Sequence, residues 1–170
     1  RHPSLDNRRG RRGLKPSAAV LLLGLSGCVL ARPFGWIPEE DAELARAHTL
    51  NAMNYWESGD YTRALDQANR ALGLDDDFVP ALRVRAMVLM RGRTMTGLDE
   101  AIQIWEDLDD GTENRWTIQH AVAHQRRADV LRRAQRLELA DDDTEEAIAL
   151  YEGVLDADPD DVYALEGFVQ

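Results

Sequence analysis

The stretch MNYWESGDYTRALDQANRALGLDDD, from Met53 to Asp77, decides the fold. After its central Ser-Gly-Asp, small and apolar residues recur at three- and four-residue steps, at Tyr61, Ala64, Leu65, Ala68, Ala71 and Leu72. That period marks one face of an α-helix. Gly59 can adopt the left-handed backbone that ends one helix, and Asp60 can cap the next. The stretch therefore predicts a helical hairpin whose packing partners lie elsewhere in the chain.

The composition indicates an acidic globular protein with a basic beginning. A length of 170 residues allows one domain or a short array of repeats. The net charge is −11, and residues 1–27 hold six cations against Asp6, so a local +5 leaves −16 for the rest. A body this acidic argues against nucleic acid and anionic membrane surfaces as partners. The single cysteine, Cys28, excludes an internal disulfide.

Residues 1–31 have the pattern of an export signal. A basic segment precedes a 14-residue apolar run, residues 18–31, in which small residues lead to Cys28. The run is shorter than the ~20 residues that span a bilayer. Leu25-Ser26-Gly27-Cys28 resembles the lipobox of bacterial lipoproteins. The resemblance implies a signal peptide over 1–27, a lipidated Cys28 that begins the mature protein, and a tether over 28–38.

The residue after the cysteine is Val29, which by resemblance to Gram-negative lipoproteins implies the periplasmic face of the outer membrane. A buried structural Cys28 is the alternative. The segment Arg11-Arg12-Gly13-Leu14-Lys15 resembles a twin-arginine signal loosely, so both export routes stay open.

The hairpin pattern returns twice. The second helix of the opening hairpin, from Ala64, has counterparts that start at Ala101 and Ala147, and an acidic turn follows each copy. Their preceding helices also align. The three copies resemble the tetratricopeptide repeat, whose unit is ~34 residues. Over about residues 39–170 this resemblance implies an all-α fold of antiparallel helical hairpins, stacked as a right-handed α-solenoid.

The internal alignment divides the array into repeats at about 45–78, 79–111 and 113–161, with a fourth that begins at 162–170. We therefore expect the protein to continue beyond Gln170. The copies are 37 and 46 residues apart, so additions are expected in loops at Arg91–Gly97 and Arg136–Asp143. The pattern predicts helices at about 39–57, 60–73, 78–92, 97–108, 113–139, 143–156 and 160–168.

Candidate chemical sites are sparse in the sequence. His120 and His124 are four residues apart, as metal ligands on one helix face are. No third ligand lies near them in sequence, and zinc needs three or four, so we predict that they pack between helices. Asp156-x-Asp158-x-Asp160 lacks the glycine and glutamate of a calcium loop. The sequence predicts no catalytic residue, cofactor or metal, and hence no enzyme.

In the tetratricopeptide-repeat family the first helices of successive repeats line a concave groove. The internal alignment places twelve residues there: Arg46, Thr49, Met53, Trp56, Arg83, Met87, Met90, Arg91, Gln125, Asp129, Arg132 and Arg133. Adaptable methionine and aromatic side chains suit peptide capture. Arginines on an acidic body favour an acidic or carboxylate-terminated segment. The alternative is that the methionines are ordinary core and Arg132 and Arg133 a solvated face.

These patterns together predict an adaptor or assembly factor that is lipid-anchored at the cell envelope and holds a partner protein without catalysis. Two alternatives stay open. The array could be a structural subunit that stacks on a large envelope complex through an acidic outer surface. It could also be the anchor and spacer of an enzyme domain beyond Gln170.

Overall fold

The computed structural model describes residues 37–111 and 113–169, and within them it contains seven helices and no strand. The helices are α1 Glu39–Glu57, α2 Tyr61–Leu72, α3 Val79–Gly92, α4 Met95–Leu108, α5 Asn114–Arg133, α6 Leu137–Ala157 and α7 Val162–Val169. The all-α prediction is confirmed for this part of the chain. The predicted signal peptide and Cys28 lie outside the described residues. None of the seven helices is both long and apolar enough to cross a membrane.

Each helix packs on the one that follows it in sequence, and α1 also packs on α3 and α5 on α7. Buried alanines lie between the helices: Ala52 of α1 and Ala64 and Ala68 of α2 are fully buried in one cluster. A single methyl group lets two helix backbones approach closely while their larger side chains interlock. The largest fully buried side chains, Trp105 and Tyr151, fill the later clusters.

The opening hairpin has the predicted turn. Gly59 has a φ of +80°, in the left-handed region. Backbone N–H groups of Gly59 and Asp60 donate to the carbonyls of Trp56 and Tyr55 at 3.0 and 2.9 Å. These two bonds satisfy carbonyls that the end of α1 would otherwise leave unpaired. The Asp60 carboxylate caps α2 by accepting from the Arg63 N–H at 3.1 Å. The roles predicted for Gly59 and Asp60 are confirmed.

The two other hairpins turn at non-glycine residues. Arg93 and Gln135 adopt φ values of 52° and 59°. The end of α5 repeats the bonding at the end of α1, because the Arg136 N–H donates to the Leu131 carbonyl at 2.9 Å. The left-handed positions are 34 residues apart from Gly59 to Arg93 and 42 apart from Arg93 to Gln135.

These turns correct the predicted boundaries. The loop predicted at Arg91–Gly97 is shorter than expected, because α4 begins at Met95, and the loop predicted at Arg136–Asp143 is wrong, because α6 begins at Leu137. The single helix predicted over 113–139 is also wrong, since α5 ends at Arg133. The additional residues of the third copy lengthen α5 to 20 residues, against 14 in α3. No glycine or proline near Gln135 marks a turn there.

The contact of α7 with the preceding helices depends on a glycine. The Gln125 side-chain amide of α5 donates to the Gly167 carbonyl at 2.8 Å, and the Tyr151 hydroxyl of α6 donates to the Gln125 amide oxygen at 2.9 Å. A Cβ atom at Gly167 would lie 2.3 Å from Cζ of Tyr151. Burial raises the pKa of Tyr151 to about 12. The backbone of α7 therefore rests directly on the Tyr151 ring.

We predict that Gly167→Ala loosens α7 from Tyr151 and lowers the free energy of unfolding by about 1–3 kcal/mol, as overpacking does. Denaturant unfolding measures the loss, and amide hydrogen exchange shows whether it is concentrated in α7. Gly153→Ala is the matched control, because a Cβ there meets no atom within 4 Å. It should be neutral or stabilising by up to about 1 kcal/mol. Equal exchange rates in α7 for the two variants would contradict the contact.

Candidate partner-binding groove

A first cavity of about 330 Å³ lies between α1, α3 and α5. Met53 from α1, Arg83 and Met87 from α3, and Trp116 from α5 line it. Met53 is 44% exposed and the other three are partly buried, so this wall is open to solvent. The cavity thus presents an apolar surface with a cation at its edge.

Trp116 holds that cation in place. The guanidinium carbon of Arg83 lies 3.7 Å from the centroid of the Trp116 ring, and that of Arg115 lies 4.9 Å from it. Such contacts are attractive because the ring face carries negative charge density. The Trp105 ring stacks on Trp116 at 6.0 Å between centroids and 12° between planes. Desolvation and the nearby charge of Arg115 lower the pKa of Arg83, against a smaller opposing effect of Glu113.

A second cavity of about 550 Å³ lies over α5, α6 and α7. Its lining includes Gln125, Arg126, Asp129 and Arg132 of α5. Gln119 lines this cavity as well as the first, and both have volumes in the range of known ligand sites. The two cavities therefore adjoin at α5. We refer to them together as the groove.

Six of the twelve predicted residues line the groove. Met53, Arg83 and Met87 come together in the first cavity, and Gln125, Asp129 and Arg132 in the second. Asp129 accepts from Arg93 at 3.3 Å and lies 3.7 Å from Arg132. Arg132 also donates to the Thr144 hydroxyl at 2.5 Å.

The structure contradicts the groove assignment of two residues. Met90 is only 2% exposed, and its sulfur accepts a hydrogen bond from the indole nitrogen of Trp105 at 3.1 Å. Thr49 is buried, and its hydroxyl donates to the Ala45 carbonyl at 2.9 Å. The prediction failed at Met90 because the helix that covers it, α4, follows later in the chain.

Four further predicted residues line neither cavity. Trp56 packs on Tyr61, with 5.1 Å between ring centroids, and Arg91 lies 5.6 Å from the same ring. Arg46 and Arg133 are exposed elsewhere. Trp56 and Arg91 therefore belong to a separate surface around the first turn.

The prediction missed Trp116, Gln119 and Arg126, which line the groove on α5. The internal alignment began the third copy's matched helix at His124, so it left out the part of α5 that carries Trp116 and Gln119. Arg126 lies within the aligned helix, but at a position that the alignment did not assign to the groove. A signal was present, because positions 116, 119, 122 and 126 recur at helical spacing within a segment predicted to be helical.

A buried polar cluster joins α4, α5 and α6 on another side of α5. Asp143 is 4% exposed, and its carboxylate accepts from Arg127 Nε at 2.8 Å and from His124 Nδ1 at 2.9 Å. Arg127 also donates to Asp99 of α4 at 2.8 Å. Burial alone would raise the pKa of Asp143, but the hydrogen bonds from Arg127 and His124 outweigh it and the pKa is lowered. We call Asp99, His124, Arg127 and Asp143 the polar joint.

His120 sits beside the polar joint, with its ring centroid 5.0 Å from that of His124. Burial, followed by the charge of His124, lowers its pKa below 6.5, against opposing effects of Asp109, Glu106 and Glu146. His120 is therefore neutral at pH 7. Within residues 37–111 and 113–169, no three His, Cys, Asp or Glu side chains are placed to hold a metal ion.

We predict that the free energy of unfolding falls as the pH is lowered from about 7.5 to 5. The unfolded chain protonates His120 near its ordinary pKa of 6.5, whereas the folded chain resists protonation until lower pH. Protons therefore favour the unfolded state in this interval. His120→Asn should flatten the dependence, as measured by urea unfolding at several pH values. The control His48→Asn keeps His120 and should keep the slope, and equal slopes in the two variants would contradict the assignment.

Sequence comparison with known proteins gives no relative of this chain. No protein-family model matches the chain. A search of curated proteins finds no match either. The resemblance to tetratricopeptide repeats and to lipoproteins therefore stays a prediction.

Proposed function

We propose that this protein is a non-enzymatic adaptor, lipid-anchored at the cell envelope, that holds a segment of a partner protein in its groove. One observation carries the proposal: Met53 of α1, Met87 and Arg83 of α3, and Trp116 of α5 line a single cavity. Residues from three helices, far apart in sequence, thus form one continuous surface.

The chemistry of that surface suits a peptide. Methionine side chains adapt to differently shaped apolar partners. Tryptophan and arginine are the residues that contribute most to binding at protein interfaces. The stacking of Arg83 on Trp116, at 3.7 Å, lowers the conformational freedom that the arginine would lose on binding. On an acidic body, an arginine held this way favours an acidic or carboxylate-terminated segment.

The order of helix contacts supports a stacked array. Each helix packs on the next, and α1 on α3, as expected of consecutive hairpins in a right-handed α-solenoid. The 34-residue interval between the left-handed turns at Gly59 and Arg93 equals the length of a tetratricopeptide unit. The groove would then be the concave side, formed by α1, α3 and α5.

The buried titratable groups support binding rather than catalysis. His124, Arg127 and Asp143 all hold helices together through short hydrogen bonds. Their partners account for their burial, because a buried charge must be paired to be tolerated. The groove, and not this cluster, is therefore the surface proposed to bind a partner.

The location rests on the sequence. A basic segment, an apolar run and the Leu-Ser-Gly-Cys pattern at Cys28 support lipidation and a place at the periplasmic face of the outer membrane. Several acyl chains on one residue hold a protein firmly, since each buried CH₂ contributes about 0.8 kcal/mol. The groove would then work close to the membrane.

We predict that the double substitution Arg83→Glu with Arg132→Glu weakens partner capture at least tenfold while helicity is retained. It reverses one charge in each cavity, and both arginines are on the surface of the fold. Wild type and variant are used to capture partners from detergent-solubilised envelope, and affinity for the purified partner is then measured directly. Arg133→Glu is the control, because this exposed residue lines neither cavity. Equal affinities in all three proteins would exclude the groove as the binding site.

We predict that Cys28→Ala moves the full-length protein from the membrane to the soluble fraction. The substitution removes the thiol that would carry the lipid, so the apolar anchor is lost. Fractionation with an alkaline carbonate wash measures the anchor, because the wash strips proteins held only by other proteins. Val29→Ala keeps the cysteine and should stay membrane-bound. Carbonate-resistant retention of Cys28→Ala would disprove lipid anchoring.

A further inference from the structure

One arginine in α5 stands apart from its neighbours. In the run from His124 to Arg127, three of four polar side chains have partners: His124 and Arg127 bind Asp143, and Gln125 binds Gly167. Arg126 makes no hydrogen bond or ion pair with any residue that the structure describes. It is nevertheless partly buried, in the wall of the second cavity.

The anions around Arg126 are few or already engaged. Asp129, one turn further along α5, is bound by Arg93 at 3.3 Å and lies near Arg132 at 3.7 Å. Glu166 of α7 also lines the cavity, but it is exposed and does not pair with Arg126. Burial, and then the charges of Arg93 and Arg91, lower the pKa of Arg126. The second cavity thus holds a partly desolvated cation that pairs with no anion in the described part of the chain.

We propose that Arg126 binds a carboxylate of an extended peptide whose apolar side chain occupies the first cavity. This inference rests on the proposed function and specifies what the groove selects. A guanidinium group matches a carboxylate because its planar donors form two parallel hydrogen bonds. Placing an anion there also relieves the repulsion among the arginines that line the second cavity.

The rigid α5 helix sets the spacing that the peptide needs. Trp116, which walls the first cavity, and Arg126, which lines the second, are ten positions apart on α5. A rise of 1.5 Å per residue separates them by about 15 Å along the helix. An extended peptide advances about 3.3 Å per residue, so about four to five residues cover this distance. The selected segment has an apolar side chain and an acidic side chain at that separation.

Synthetic peptides test this spacing on the full-length protein. Each peptide has blocked ends, a fluorescent label, one leucine and one glutamate, with zero to eight glycine or serine residues between them, in both orders. A parallel series has glutamine in place of glutamate. Fluorescence anisotropy should give the tightest binding near a separation of four to five residues, and only in the glutamate series. Affinity that is independent of spacing would overturn the inference.

Substitution of the arginine tests the same point from the protein side. Arg126→Gln should weaken the best glutamate peptide about tenfold, to the affinity of its glutamine counterpart, and leave the glutamine series unchanged. Arg126→Lys keeps the positive charge but loses the planar pair of donors. Its affinity for the glutamate peptide should therefore fall between the affinities of the wild type and of Arg126→Gln. The control Arg136→Gln changes an exposed arginine outside both cavities and should have no effect.

The outcomes separate this inference from the proposed function. If both series bind equally, and Met87→Asp abolishes binding while Arg126→Gln does not, the groove binds peptides but Arg126 does not select a carboxylate. If no peptide of either series binds, the groove hypothesis and the inference fail together. The comparison of glutamate with glutamine peptides uses wild-type protein alone. It therefore shows whether the groove selects a carboxylate even if Arg126→Gln folds poorly.

Discussion

The close crossing of helices at alanine is the constraint on which the rest of this structure depends. Alanines with no exposed surface lie in every helix, at Ala45, Ala52, Ala64, Ala68, Ala71, Ala81, Ala86, Ala101, Ala121, Ala123, Ala128, Ala140 and Ala164. An alanine side chain buries little apolar area, and burial contributes about 25 cal/mol per Å². Cohesion between helices must therefore come from a few large side chains and from polar contacts. Trp105 and Tyr151 supply the first, and the polar joint supplies the second.

The helix α5 is where these contacts converge. Arg126 and Arg127 are adjacent in sequence and so point about 100° apart around the helix axis. Arg127 is bound to Asp143 and Asp99, which fixes the rotation of α5 against α4 and α6. Arg126 lines the groove and pairs with no residue that the structure describes. Two neighbouring arginines thus differ in role because they point to different sides of α5: Arg127 holds helices together, and Arg126 lines the groove.

A structural feature could be predicted from the sequence where its cause lies in the neighbouring residues of the chain. Gly59 and Asp60 were predictable because glycine tolerates a left-handed backbone and aspartate caps helices. Arg93 and Gln135 adopt the same backbone without any such signal, at a cost of about 1–2 kcal/mol that the hydrogen bonds of the turn help to offset. The seven helices were therefore predicted, whereas the turn between α5 and α6 was misplaced.

The residues of the candidate groove show the same difference between local and distant causes. Met53 and Met90 are both methionines that were predicted to line the groove, yet one is 44% exposed and the other 2%. The difference is made by Trp105, which comes from a different helix. Trp116 was missed because α5 begins before the aligned part of the third copy, and Arg126 because its position in that copy was not assigned to the groove. Local chemistry indicated which residue types would line a groove, and only the packing of later helices selected among them.

Because α5 is one rigid helix, the spacing between groove residues on α5 is better fixed than the gap between α5 and the other helices. A buried ion pair is weak evidence for stability but fixes one arrangement of the groups around it. If the polar joint were loosened, α5 would turn or shift as a body, and the gap between Trp116 and the α1 and α3 residues of the first cavity would change. The distance between Trp116 and Arg126 would not change, because both belong to the same hydrogen-bonded helix. Selectivity for the spacing of a peptide therefore depends on one helix, whereas affinity depends on how three helices are held together.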